Sequence, residues 1–146
     1  MVIPRNLKST INQGCFAALA THTSSNEIQN HLMWIDYEDE NFLINTEQER
    51  KKTANVRLNA SLTLLIFSPK QMYRSWEIRG SVVKIKQGED ANKHIDKLSQ
   101  RYVGKPYKRQ EGTAWGEANI KDREIWIIQP DTILPMSSLR SQPSSE

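Results

Sequence analysis

The chain has 146 residues, enough for one domain and too few for a second core of ordinary size. Hydrophobic residues make up 37% and charged residues 25%, and the mean hydropathy is −0.67, which predicts a globular core under a strongly polar exterior. The 20 lysines and arginines against 17 acids leave a formal charge of +3, too slight and too dispersed for a nucleic-acid binder, which gathers basic residues on one face with aromatics among them.

Several function classes fall away on the same grounds. The apolar run Leu62 to Phe67 is broken by Thr63 and is far short of the roughly 20 residues a spanning helix needs. Met1 to Thr10 carries Arg5 and Lys8 but no apolar signal core of about 7–15 residues. A cytoplasmic protein with neither membrane nor nucleic-acid partner is expected. Cys15 is the only cysteine, which excludes an internal disulfide and reads as a small buried hydrophobe rather than a nucleophile. His22, His31 and His94 show no paired ligand spacing, so no metal site is expected.

Taken in order, Pro4 opens a short helix with Leu7 and Ile11 on one face, and Gly14 stops it. Cys15 to Thr21 is an apolar strand bounded by the polar stretch His22 to Asn26. Ile28 to Tyr37 and Phe42 to Thr46 predict two strands joined as a hairpin by Glu38 to Asn41. Gln48 to Asn59 has no glycine or proline and puts Lys52 and Val56 at i,i+4, predicting a helix. Ser61 to Phe67 is a strand ended by Pro69, Trp76 to Ile85 is the next, and the two should pair. His94, Ile95, Leu98 and Tyr102 fall at helical spacing, with Glu89 and Asp90 near the positive end and Arg101 near the negative end. Residues 105–122 are predicted as a long loop, Arg123 to Gln129 as the closing strand, and the serine-rich end 137–146 as a disordered tail to a domain spanning 1–136. Six strands with helices after the third and fifth give an α+β class, mainly an antiparallel barrel.

The chemistry-bearing segment is 42–59. A strand ends at Asn45-Thr46, and Arg50-Lys51-Lys52-Thr53 enters the first turns of a helix. Unpaired N–H groups and partial positive charge at a helix start, with added cations and a hydroxyl, make a phosphate site; a solvated basic turn has the same composition. Trp34, Trp76 and Trp126 fall in strand patterns and read as core or dimer contacts, whereas Trp115 lies in the long loop, where it would cover a pocket.

From about residue 5 to 135, the order of elements, Asn45-Thr46 before Arg50-Lys51-Lys52-Thr53-Ala54-Asn55-Val56, the strand Ser61 to Phe67, and Trp76-Glu77-Ile78-Arg79-Gly80 together resemble the split β-barrel flavoproteins. That family includes pyridoxamine 5′-phosphate oxidases and deazaflavin-dependent reductases. The resemblance implies a six-stranded split β-barrel with short helices. It puts a cofactor phosphate at Arg50 and Lys52 with Asn45, Thr46, Lys51 and Thr53 as neighbours, and a flavin-type ring along His31-Leu32-Met33 at the interface of a homodimer. Trp76 to Gly80, with Gln100-Arg101-Tyr102-Val103-Gly104-Lys105, is similar to the branch that uses coenzyme F420. The reading is therefore an oxidoreductase passing a hydride between F420 and a small organic substrate, the acidic tail of the cofactor meeting Lys70, Arg74, Lys105 or Lys108. FMN is the alternative cofactor, and a non-catalytic flavin or haem binder the alternative class. No catalytic residue is nominated, because such cofactors carry the hydride themselves; His31 is either a proton donor near the ring or a satisfied polar side chain. Vitamin B6 oxidation is disfavoured, since the end 137–146 lacks arginine- and histidine-bearing substrate motifs. The first hairpin, Thr23 to Ile28, also departs from the Asp-Gly and proline pattern usual there.

Overall fold

A computed structural model describes residues 1–48, 50–107 and 123–136; Trp115, Lys108, most of the 105–122 loop and the tail 137–146 lie outside them. The elements run α1 (Arg5–Asn12), β1 (Phe16–His22), β2 (Ile28–Trp34), β3 (Asp36–Glu38), β4 (Asn41–Glu47), α2 (Lys51–Leu58), β5 (Ser61–Phe67), β6 (Ser75–Gln87), α3 (Glu89–Val103) and β7 (Arg123–Pro135). Among the described residues one antiparallel sheet holds seven strands in the order β2-β1-β5-β6-β7-β4-β3. The α+β class and mainly antiparallel pairing are as the sequence implies, and β5 pairs with β6 as expected.

The sheet curls around its inward-facing side chains. Alternate positions of β1 and β5 (Ala17, Leu19, Leu62, Leu64, Ile66) meet Phe42, Ile44, Trp76, Ile78, Trp126 and Ile128, and Leu7 and Ile11 of α1 and Val56 of α2 close the cluster. Trp76 and Trp126 are thus core residues, and Trp34 stacks on Tyr102 with centroids 4.8 Å apart. A second, outer cluster of Leu43, Ala91 and Ile125 seats α3 on β4 and β7. Cys15 is buried, and burial pushes its thiol up to about 11, so it packs as a small hydrophobe.

The run read as one strand from Ile28 to Tyr37 is two. β2 pairs with β1, from Phe16 opposite Trp34 to His22 opposite Ile28, while β3 forms the tight hairpin with β4. The break falls at Ile35, whose backbone groups bond to α3 instead of a strand: its N–H donates to Tyr102 Oη at 3.1 Å, and its carbonyl accepts from Arg101 at 3.3 Å. Tyr102 also donates to the carbonyl of Cys15, tying β1 to the same point. A seventh strand follows, and the two halves of the run end on opposite edges of the sheet.

β7 also continues past Pro130, which lacks an N–H and sits at a register irregularity opposite Gly80. The backbones approach so closely there that a Cβ on Gly80 would lie 2.3 Å from the Gln129 carbonyl oxygen. Gly80→Ala should therefore cost about 1–3 kcal/mol, the range for forced overpacking. Urea unfolding checks this, and an unchanged midpoint would refute it.

Candidate functional site

β4 and α2 are joined by a short connection that the chain fastens at both sides. The Thr53 hydroxyl donates to the Glu47 carbonyl at 2.7 Å, and Arg50 pairs with the Glu47 carboxylate at 2.6 Å. Arg50 sits at the N-cap in extended conformation and offers no side-chain cap; its carbonyl accepts from Thr53 and Ala54. The N–H groups of Lys51 and Lys52 find no partner among the described residues. The far end of α2 is held by Arg57, which pairs at 2.8 Å with Glu124, a fully buried carboxylate that also accepts from Trp126 and Gln87. The helix is thus fixed with its positive end free.

Lys52 carries the electrostatic weight of the site. It is only 4% exposed and makes no hydrogen bond or ion pair with any described residue. Burial first, then repulsion from Arg50 and more weakly from Arg123, pushes its ammonium down to about 8, with Glu47 opposing. A buried charge without a counter-ion is costly, so this arrangement calls for an anion.

His31 belongs to the same cluster although it lies on β2. Asn55 of α2 donates to Gln29 Oε1 at 2.8 Å, which turns the Gln29 amide nitrogen toward His31 Nε2, also at 2.8 Å. Nε2 therefore accepts and the ring proton resides on Nδ1. Partial burial and then the charges of Lys52 and Arg50 lower the His31 pKa, favouring the neutral ring. Met33 shares the inward face of β2 and packs against the core, whereas Leu32 points the other way and is 66% exposed.

The other nominated residues separate. Lys51 is exposed, and Thr46 is buried at the end of β4. Asn45 faces α3, where its amide donates to the Ala91 carbonyl at 2.8 Å and to His94 Nδ1 at 3.1 Å. His94 in turn donates from Nε2 to Asp36 at 2.9 Å. Burial works against the Asp36 charge, but His94, Arg101 and Lys97 outweigh it and hold its carboxyl well below the usual carboxylate range. Sequence reasoning missed Arg123, which opens β7 directly across from Glu47 and is 8% exposed. The available signal was a cation at the head of the closing strand.

Two hollows compete for a ligand. One of about 410 Å³ lies under α3, lined by Lys86, Lys93 and Lys97 but also by Glu38 and Asp90; Lys97 is paired with Asp36, so no net charge is left for an anion. The other, about 360 Å³, lies against α2 and is lined by Gln48, Arg50, Ala54 and Arg57. This hollow lies on the exposed side of α2, and Lys52, a buried ammonium without a partner among the described residues, sits at the same helix start without lining it. Those residues fit a phosphate-bearing group.

Comparison with known proteins bears on the family and the fold. Residues 3–137 match the family model described as pyridoxamine 5′-phosphate oxidase. No match was found among curated proteins. Solved structures of similar fold include an F420 reductase, 24% identical over 90% of this chain and 98% of that one with a TM-score of 0.73. A pyridoxamine 5′-phosphate oxidase-related, FMN binding protein from Nostoc punctiforme is 10% identical over 91% and 84%, at 0.60. General Stress Protein 26 from Bacillus anthracis is 16% identical over 88% and 92%, also at 0.60. With the family model spanning nearly the whole chain and the same fold recurring in these structures, this protein belongs to the pyridoxamine 5′-phosphate oxidase family.

Proposed function

We propose that the chain is an oxidoreductase that holds the phosphate of coenzyme F420 at the start of α2 and serves hydride transfer to or from a small organic substrate, with FMN as the second cofactor reading. The observation that carries this is Lys52, a buried ammonium with no described counter-ion beside free N–H groups of a helix start. Such a cofactor, when bound, supplies the hydride chemistry itself. The name of the F420 reductase of like fold supports the first cofactor, and the FMN binding protein supports the second.

Each residue has a task in this reading. Lys52 neutralises the phosphate from a position that water scarcely reaches, which makes its charge count for more than a surface lysine's. Arg50 is half-exposed and among the described residues pairs with Glu47 alone, so exchanging that carboxylate for a phosphate costs little. Partial burial, and then the charges of Lys52 and Arg50, lower the His31 pKa, and with its proton at Nδ1 the neutral ring is an uncharged donor for the ring edge of the cofactor. Lys51, exposed at the same turn, adds long-range attraction, while Thr53 and Asn45 shape the turn and the strand rather than reach the ligand.

A homodimer belongs to the same proposal. Ala18 lies between Leu32 and Leu65 in register on the outward face of β2, β1 and β5. Leu32 is 66% exposed, Leu65 41% and Ile28 67%, an apolar face that a second copy would cover. A cytoplasmic location is also proposed; among the described residues no helix is long and apolar enough to cross a membrane.

Titrating the cofactor-free protein with F420 and with FMN tests the cofactor. The double variant Arg50→Ala, Lys52→Ala should weaken binding by a few kcal/mol, at about 1.5–3 kcal/mol per charge-assisted bond. Equal affinity in the double variant removes the phosphate assignment, and tight binding without turnover of any reducible substrate moves the protein to the non-catalytic class. A second expectation concerns the free protein. Because the Lys52 pKa falls from 10.5 to about 8 on folding, the unfolded chain binds more protons between those values, and stability should rise with pH across that window. Lys52→Met should abolish the rise and increase the melting temperature near neutral pH, where thermal unfolding of the wild type reports the full cost of the buried charge. A melting temperature lowered by the substitution would contradict the unpaired state of Lys52.

A further inference from the structure

We infer that Arg123 is a second buried cation of the anion site, and that Asn45 and His94 act as positioning residues for it. The inference rests on reading the start of α2 as a phosphate site.

The backbone brings Arg123 there. β4 and β7 pair antiparallel so that Arg123 stands opposite Glu47, the residue whose carbonyl and carboxylate fasten Thr53 and Arg50. Arg123 is 8% exposed, and arginines so deeply buried ordinarily face a carboxylate. None of the described carboxylates pairs with it. Glu47, across the ladder, is taken by Arg50, and Glu124, the next residue along, turns to the inner face and is engaged by Arg57, Trp126 and Gln87. Two of the guanidinium nitrogens have partners: one donates to Tyr107 Oη at 2.6 Å, and the other reaches Asn45 Oδ1 at 3.5 Å. Nε is buried with no partner. Arg123 and Lys52 are close enough to depress the Lys52 pKa. Two buried cations near each other, one with an unused donor, make a site that an anion with several acceptor oxygens would complete.

The guanidinium is not left to find its own orientation. Asn45 accepts from it and spends its amide N–H groups on the Ala91 carbonyl and His94 Nδ1, so the amide cannot flip without losing those bonds. His94 is locked in the matching tautomer by Asp36, which Arg101 and Lys97 hold in place. A chain of four side chains, Asp36, His94, Asn45 and Arg123, thus runs from β3 by way of α3 to the anion site. Asn45 acts through Arg123 rather than on the ligand, which accounts for its place in the motif and its orientation away from the α2 turn.

The test compares FMN with riboflavin, which differ by the phosphate alone, so that the ratio of their affinities isolates the anion site. Arg123→Gln should lower the FMN preference at least tenfold with riboflavin affinity unchanged, and Arg123→Lys should retain most of it. Asn45→Ala and His94→Gln should lower the preference by a smaller factor, whereas a merely structural role would weaken both ligands equally. Lys52→Ala serves as the control for the underlying reading. If it destroys the preference while Arg123→Gln does not, the inference is overturned and the phosphate reading stands. If neither flavin binds, the rise in melting temperature given by inorganic pyrophosphate decides: its loss in Arg123→Gln supports the inference, and its persistence overturns it. Should Arg123→Gln fail to fold, Arg123→Lys and Asn45→Ala carry the same comparison.

Discussion

The cost of keeping the Lys52 ammonium out of water governs how the surrounding structure must be built. A flexible lysine would escape to solvent by rotating its stem, so the burial persists only because α2 is pinned at both ends. At one end the Thr53 hydroxyl and Arg50 bind the last residue of β4. At the other, Arg57 is anchored to Glu124, a carboxylate with no exposure and three donors. Asn55, midway along the helix, reaches Thr21 on β1 and Gln29 on β2. Removing water from Lys52 is therefore a property of the α2 attachments, not of Lys52 alone.

α3 does a parallel service on the other face. Its last turn takes the backbone groups of Ile35 and so makes the chain leave β2 and begin β3, the step that separates the two edges of the sheet. Its middle presents His94 and Lys97 to Asp36, and through Asn45 this polar chain ends on Arg123. Buried polar networks of this sort are stabilising only when every member is satisfied. The member that is not, Arg123 Nε, lies at the end of the chain beside β4 and, on the proposed reading, is the one an anion would complete.

What the sequence made legible divides along the range of the interactions. α1, β1, β5 and α3 announce themselves through local periodicity, and α1 also through its stop at Gly14, which takes a positive φ. The basic turn was visible because its cations are consecutive. The break at Ile35 was not, because Leu32-Met33-Trp34-Ile35 is continuous in pattern and the group that interrupts it, Tyr102, lies 67 residues away. Arg123 was hidden for the same reason, with Asn45 separated from it by 78 residues. Asn45 shows a subtler failure: β4 is covered on both faces, Phe42 to Thr46 all being buried, so its pattern gives no phase from which to decide that Asn45 faces α3. The sequence singled out the segment now proposed as the anion site and could not orient Asn45 within it.

The unpaired cations also bear on how such a site would choose among ligands. In the free chain their burial penalty lowers stability, and any ligand that binds only the folded state restores stability in proportion to its affinity. A flavin without a phosphate would leave that penalty in place, gaining ring contacts alone. A phosphorylated one would remove it as well, so part of its affinity would be relief of a strain already stored in the protein. Sites with buried polar groups reject ligands that fail to pair them far more strongly than apolar pockets reject a poor fit. On the proposed reading, selectivity at α2 would therefore come less from the number of bonds a phosphate makes than from the cost of leaving Lys52 and Arg123 without one.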